Sequence, residues 1–200
     1  SAGSSSPTST GPPRTSRTRS RSAAAHTLTT NAARFYLQWL YARGVGEAKA
    51  EPPHKDSRRL FTDTIQRAGS VRARAQARYS GFAVGAALLC SDGSIVEGVN
   101  VESSSYGCTI CAERTALVSA VAQGKSSFVM IAVRANTLNP VTPCGACRQL
   151  LCDYAPELLI VMLSGTATRS MAYIKELLPG AFDSDALQSS STSTDLNGKR

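Results

Sequence analysis

The chain has 200 residues, 42% of them hydrophobic, which is room for one domain with a core and some chain to spare. Its longest apolar run, residues 82–90, is far short of the roughly 20 residues that a membrane-spanning helix needs, so a membrane partner is not expected. The net charge of +8 suggests nucleic-acid binding only until it is located: residues 1–79 carry 14 Lys and Arg against 4 Asp and Glu, and residues 80–200 carry 8 against 10. The latter part lacks the basic stripe that a phosphate backbone requires, which excludes nucleic acid and points to a small molecule.

Residues 1–27 are Ser, Thr, Pro and Arg with few large apolar groups, and cannot offset chain entropy by burial. No acidic residue precedes Glu47. Such a start fits either a solvated tail, with a cytoplasmic protein behind it, or an organellar transit peptide. Residues 28–43 read as a peripheral helix, and residues 44–54, with Pro52 and Pro53, as a linker. The expected organisation is therefore a basic, largely disordered extension over 1–59, a compact domain over 60–187 and a flexible tail over 188–200.

Within the domain, Leu60, Phe61, Thr64, Ile65, Ala68, Val71 and Ala75 follow helical spacing. Residues 82–90 read as a buried strand, Ser91, Asp92 and Gly93 as a hairpin turn, and residues 94–100 as the partner strand. A helix is expected over 111–123, ended by Gly124; a strand over 128–135; a second helix over 144–154, closed by Pro156; and a strand over 158–163. Residues 171–174 read as a short fifth strand and 175–178 as a turn of helix before Pro179. This order predicts an α/β fold, three layers deep, with a mixed five-stranded sheet between helices.

Six cysteines occur, four of them in two C-x-x-C pairs, Cys108 with Cys111 and Cys144 with Cys147. In a chain of this length the pairs read as metal or redox chemistry before a disulfide framework. Cys111, Ala112 and Glu113 open one predicted helix, and Pro143, Cys144, Gly145, Ala146 and Cys147 open another. Helix N-termini favour thiolates through their unpaired N–H groups. Cys144 and Cys147, three apart, share a helix face, and Pro143 suits a helix start. Two such helices aimed at one point would supply three sulfurs to one zinc ion, leaving a fourth position for water. Glu113 would take a proton from that water and pass it to the substrate. The order C-x-E, then P-C-x-x-C, is that of the zinc deaminases, in which the Glu is not a ligand. A closed four-cysteine zinc site including Cys108, serving an interaction module, is the competing reading. Its spacer of 32 residues, however, exceeds the 15–20 of common zinc ribbons. Cys90 and Cys152 are read as buried small apolar residues.

Further runs carry a family resemblance: Tyr79, Ser80, Gly81, Phe82, Ala83, Val84 and Gly85; Gly98, Val99, Asn100, Val101 and Glu102; the two cysteine motifs, extended by Arg114 and by Arg148 and Gln149; and Glu176, Leu177, Leu178 and Pro179 with Phe182. In this order they resemble the small cytidine deaminases over about residues 60–187. The resemblance implies hydrolytic deamination of cytidine and deoxycytidine in pyrimidine salvage, with one Zn²⁺ per chain held by Cys111, Cys144 and Cys147, and Glu113 as proton carrier. It implies that Asn100 and Glu102 bond the sugar hydroxyls, that Phe82 packs on the base, and that the Ala112 backbone helps to hold it. Arg114 would bond the thiolates and offset their charge. Tyr106 and Phe182 would reach substrate across subunit contacts of a homotetramer. Both histidines, His26 and His54, precede the domain, and Cys111 in the position that nucleotide editors of this superfamily give to His implies a free-nucleoside substrate. The blasticidin-type aminonucleoside deaminases are the nearest alternative.

Overall fold

The computed structural model describes residues 55–166 and 169–182. The expectations for residues 1–54 and for the tail over 188–200 lie outside the described residues. In chain order the elements are α1 (Lys55–Val71), β1 (Val84–Cys90), β2 (Ile95–Val99), α2 (Ala112–Ala122), β3 (Phe128–Ala135), α3 (Gly145–Tyr154), β4 (Leu159–Leu163), β5 (Arg169–Tyr173) and α4 (Ile174–Leu177). Short 3₁₀ turns cover Arg72–Arg74 and Tyr106–Cys108. None of these helices is long and apolar enough to cross a membrane.

The five strands form one sheet in the order β2-β1-β3-β4-β5. β3 and β4 run parallel, joined by the α3 crossover, and the other pairs are antiparallel. The mixed sheet is thus the expected one. Its side chains alternate between two cores, as the period of two in a strand requires. Ala86, Leu88, Ile131, Val133, Ile160 and Met162 pack with Ala116, Leu117 and Ala120 of α2, Leu151 of α3 and Ile174 of α4. Ala87, Leu89, Met130, Ala132, Leu159, Val161 and Leu163 pack with Phe61 and Ala68 of α1. Helices on both faces make β4 buried at every position, which explains its unbroken apolar sequence. Each fully buried Leu or Ile contributes about 1.5–3 kcal/mol of transfer free energy.

Several element bounds differ from expectation; β1, for one, begins at Val84 and not at residue 82. α1 begins at Lys55, so a boundary at 60 falls inside the helix; the apolar spacing sets in only at Leu60. The helix stops at Val71 and Ala75 is extended, with φ −58° and ψ 141°. Ile174 opens α4 and does not end β5. Two glycines permit close approach of helix to sheet. A Cβ at Gly85 would stand 2.3 Å from the Ala68 carbonyl of α1, and one at Gly98 would stand 2.4 Å from the Ala112 carbonyl and the Ala116 nitrogen of α2.

Candidate active site

The first residues of α2 and α3 meet on one side of the sheet. Cys111 is the N-cap of α2 (φ −71°, ψ 154°) and Cys144 the N-cap of α3 (φ −66°, ψ 165°). Neither makes a side-chain capping bond, so the N–H ends of both helices face the cluster with their partial positive charge. Pro143 precedes the cap and is not the first helical residue; its carbonyl accepts a bond from Arg148 Nε at 2.7 Å.

Cys111, Cys144 and Cys147 offer sulfurs that all lie within 4.8 Å of one another, and the Cys111 and Cys144 sulfurs are 3.8 Å apart. Zinc–sulfur bonds of about 2.3 Å in tetrahedral geometry separate two sulfurs by about 3.8 Å, so the trio has the dimensions of three tetrahedral corners. Its chemistry points the same way. Bonds from Cys147, Cys144 and Arg114 pull the Cys111 thiol down to about 5 despite partial burial. The bond to Cys111, burial and the charge of Glu113 push Cys147 up. A thiolate is thus favoured at Cys111 and opposed at Cys147, and a bound metal ion is what draws thiols of this kind into their ionised form. Cys108 is exposed and outside the trio, so the four-cysteine arrangement is not present.

Glu113, on the first turn of α2, is 5% exposed. Burial raises its carboxyl above the usual range, and the negative Cys111 adds to the shift. A raised carboxyl beside the sulfurs is a better proton acceptor than an ordinary one, as a proton carrier requires. Arg114 Nη2 donates to the Thr109 carbonyl at 2.9 Å and lies 4.0 Å from Cys111 Sγ.

Cys111 and Cys144 line a cleft of about 270 Å³, whose walls also include Ala112, Glu113, Phe82 and Asn100; Cys147 is buried behind it. Phe82 is 46% exposed, so it is not a core residue. Asn100 is buried and already employed: Oδ1 accepts from the Val84 amide at 2.8 Å, and Nδ2 donates to the Phe82 carbonyl at 2.9 Å. It fixes the segment that presents Phe82. A second, more open cleft of about 410 Å³ contains Glu102, Tyr106, Tyr79 and Ser80, and Thr109 lines both clefts. Glu102 accepts from the Tyr79 amide at 2.7 Å, the Ser80 amide at 3.1 Å and the Ser80 hydroxyl. These bonds hold its carboxyl below the ordinary range. Tyr106 stacks edge-on against Tyr79, with ring centroids 6.2 Å apart. Phe182 is exposed, lines neither cleft, and lies by α3, where its carbonyl accepts from Gln149 at 2.6 Å.

Residues without an expected role complete the site. Val84, Val133, Val141 and Thr142 line the inner cleft. Arg148 ties the approach to α3 in place: besides Pro143, it bonds the Leu177 carbonyl at 2.9 Å and the Thr142 hydroxyl at 2.5 Å. The only signal for Arg148 in the sequence is its place after Cys147.

A three-layer α/β sheet with a three-sulfur centre and a buried carboxyl between two helix starts defines a zinc-dependent hydrolase of the deaminase type. The sequence model described as the cytidine and deoxycytidylate deaminase zinc-binding region matches residues 61–163. The chain belongs to this family. It is 47% identical over 131 residues to a cytidine deaminase of Halalkalibacterium halodurans, covering 65% of this chain and 96% of that one. A crystal structure of cytidine deaminase from Burkholderia pseudomallei superposes with a TM-score of 0.59 at 44% identity, over 60% of this chain and 98% of that one. A blasticidin-S deaminase of Bacillus cereus is more distant, 35% identical over 105 residues, 48% of this chain and 74% of that one.

Proposed function

We propose that the chain hydrolyses cytidine and deoxycytidine to uridine and deoxyuridine, releasing ammonia, in pyrimidine salvage. The observation that carries this reading is the trio of sulfurs at zinc-ligand spacing, two of which, Cys111 and Cys144, share a cleft with buried Glu113. Cys111, Cys144 and Cys147 hold one zinc ion per chain, which when bound supplies an acidified water. Glu113 would carry one proton of the attacking water to the ring and then the remaining proton, from the hydroxyl formed at C4, to the departing amine, so that the C4–N bond breaks with release of ammonia and a C4 carbonyl remains. Phe82 packs on the base, the Ala112 backbone helps to hold it, and Asn100 and Glu102 receive the sugar hydroxyls. Arg114 offsets the thiolate charge. Among the described residues, no Lys, Arg or His lines either cleft, which favours an uncharged nucleoside over a nucleotide.

Tyr106 and Phe182 stand 78% and 58% exposed, in keeping with contributions to a neighbouring subunit's site in a homotetramer. The catalytic domain is assigned to the chain from α1 to about residue 187, with the basic segment before it dispensable for chemistry, and the location to the cytoplasm. The test is a panel of nucleosides, nucleotides and free bases scored for ammonia release, with zinc measured on the same sample. Turnover confined to cytidine and deoxycytidine supports the assignment. Zinc binding with no change in the ultraviolet spectrum of cytidine contradicts it.

A further inference from the structure

Given the roles proposed for Glu102 at the sugar and Phe82 at the base, we infer that Ser80 is a positioning residue for the sugar end of the substrate. Its hydroxyl sets the one oxygen of Glu102 that stays open to a sugar hydroxyl, and ties that oxygen to the backbone of Phe82.

A carboxylate has about four lone-pair sites on its two oxygens. In Glu102, Oε2 takes two donors, the Tyr79 amide at 2.7 Å and the Ser80 amide at 3.1 Å. Oε1 takes one, the Ser80 hydroxyl. The acceptor site left over is therefore on Oε1, the oxygen that Ser80 Oγ restrains. Glu102 and Ser80 line the outer cleft with Thr109, and Thr109 also lines the inner cleft with Phe82 and Cys111. A ligand reaching past Thr109 from the inner cleft meets Glu102 as an acceptor.

The same hydroxyl accepts from the Phe82 amide at 2.9 Å, so its single proton goes to Glu102. The Phe82 carbonyl in turn accepts from Asn100 Nδ2 at 2.9 Å. Phe82 is thus held at both ends of its backbone by the residues assigned to the sugar: by Asn100 directly and by Glu102 through Ser80.

Loss of the hydroxyl leaves this frame standing. Ser80 is exposed, so a smaller side chain there opens no cavity in the core. The Glu102 backbone is held separately, its amide donating to the Gln76 carbonyl at 2.9 Å, and two amides still engage Oε2. What changes is Oε1, which loses its restraint. A serine that only shapes its turn affects every ligand alike. One that sets an acceptor for a sugar hydroxyl affects ligands that carry a hydroxyl.

The test is steady-state deamination of cytidine by the zinc-loaded full chain, with 2′,3′-dideoxycytidine, which lacks both sugar hydroxyls, as a competing ligand. Ser80→Ala should raise KM for cytidine about tenfold, the worth of one bond to a charged group, and keep kcat within about threefold. The inhibition constant of dideoxycytidine should change less than about twofold. Ser80→Thr, which keeps the hydroxyl, should hold KM within about threefold of the wild type. Where Ser80→Ala does not fold, Ser80→Cys, whose thiol donates only weakly, decides by the same readouts. Equal weakening of cytidine and dideoxycytidine, a loss confined to kcat, an unaltered KM, or a folded Ser80→Thr that behaves as Ser80→Ala overturns the proposal and leaves the cytidine assignment standing. A wild type that does not turn over cytidine overturns that assignment and the role of Ser80 with it.

Discussion

Gly98→Ala is a one-methyl perturbation aimed at the seating of α2, which carries Cys111 and Glu113 at its start. The added Cβ would stand 2.4 Å from two backbone atoms of α2, where ordinary contact begins at 3.4 Å. Neither atom belongs to a side chain that can rotate away, so β2 and α2 must separate by about 1 Å. That movement carries Cys111 and Glu113 but not Cys144 and Cys147, which ride on α3, and so opens the 3.8 Å gap between the Cys111 and Cys144 sulfurs. Overpacking of this kind costs about 1–3 kcal/mol, and a 1 Å misplacement of reacting groups costs about 10²-fold in rate. Urea unfolding, zinc content after gel filtration and kcat/KM for cytidine measure the three effects. Gly85→Ala is the matched control, with a clash as severe against α1, which carries no residue of the trio. It should lose comparable stability while keeping zinc and most turnover. Equal loss of turnover per folded molecule in both variants, or a silent Gly98→Ala, would refute the reasoning.

Glu113→Gln should keep zinc and fold and lose about 10²–10⁴-fold in kcat, the range of a general acid–base group; a stopped assay for ammonia checks it. Cys108→Ser should retain full zinc and turnover, since its sulfur lies outside the trio, whereas Cys147→Ser should lose the metal. Arg148→Ala removes three bonds that hold the segment before α3. It should lower stability by about 1.5–3 kcal/mol and weaken zinc retention, read by competition with a chelator. Deleting residues 1–54 should leave kcat/KM within about twofold, because every candidate group lies later in the chain; an inactive but folded truncation would give the basic segment a function.

Local chemistry was readable from the sequence where a single element carries it. β-Branching located β3 to the residue, and Gly124, with φ 76°, ends α2 as a left-handed cap should. The grouping of Cys111, Cys144 and Cys147 was legible because each motif sits within one helical turn. What was not legible depends on distant parts of the chain. Nothing local to Gly98 announces the helix resting on it. Asn100 was expected to reach the sugar, and its amide is first of all a brace between Phe82 and Val84. Glu102 was likewise expected to reach the sugar, and its carboxylate is engaged by the amides of Tyr79 and Ser80 in the adjoining cleft. The first turn of α1 lacks apolar spacing and gave no periodic signal.

X-ray absorption at the zinc edge of the purified chain addresses the metal centre itself. Three sulfur scatterers at about 2.3 Å and one lighter oxygen neighbour are the expected shell. Four sulfurs, with no oxygen, would leave no place for the attacking water and contradict the assignment.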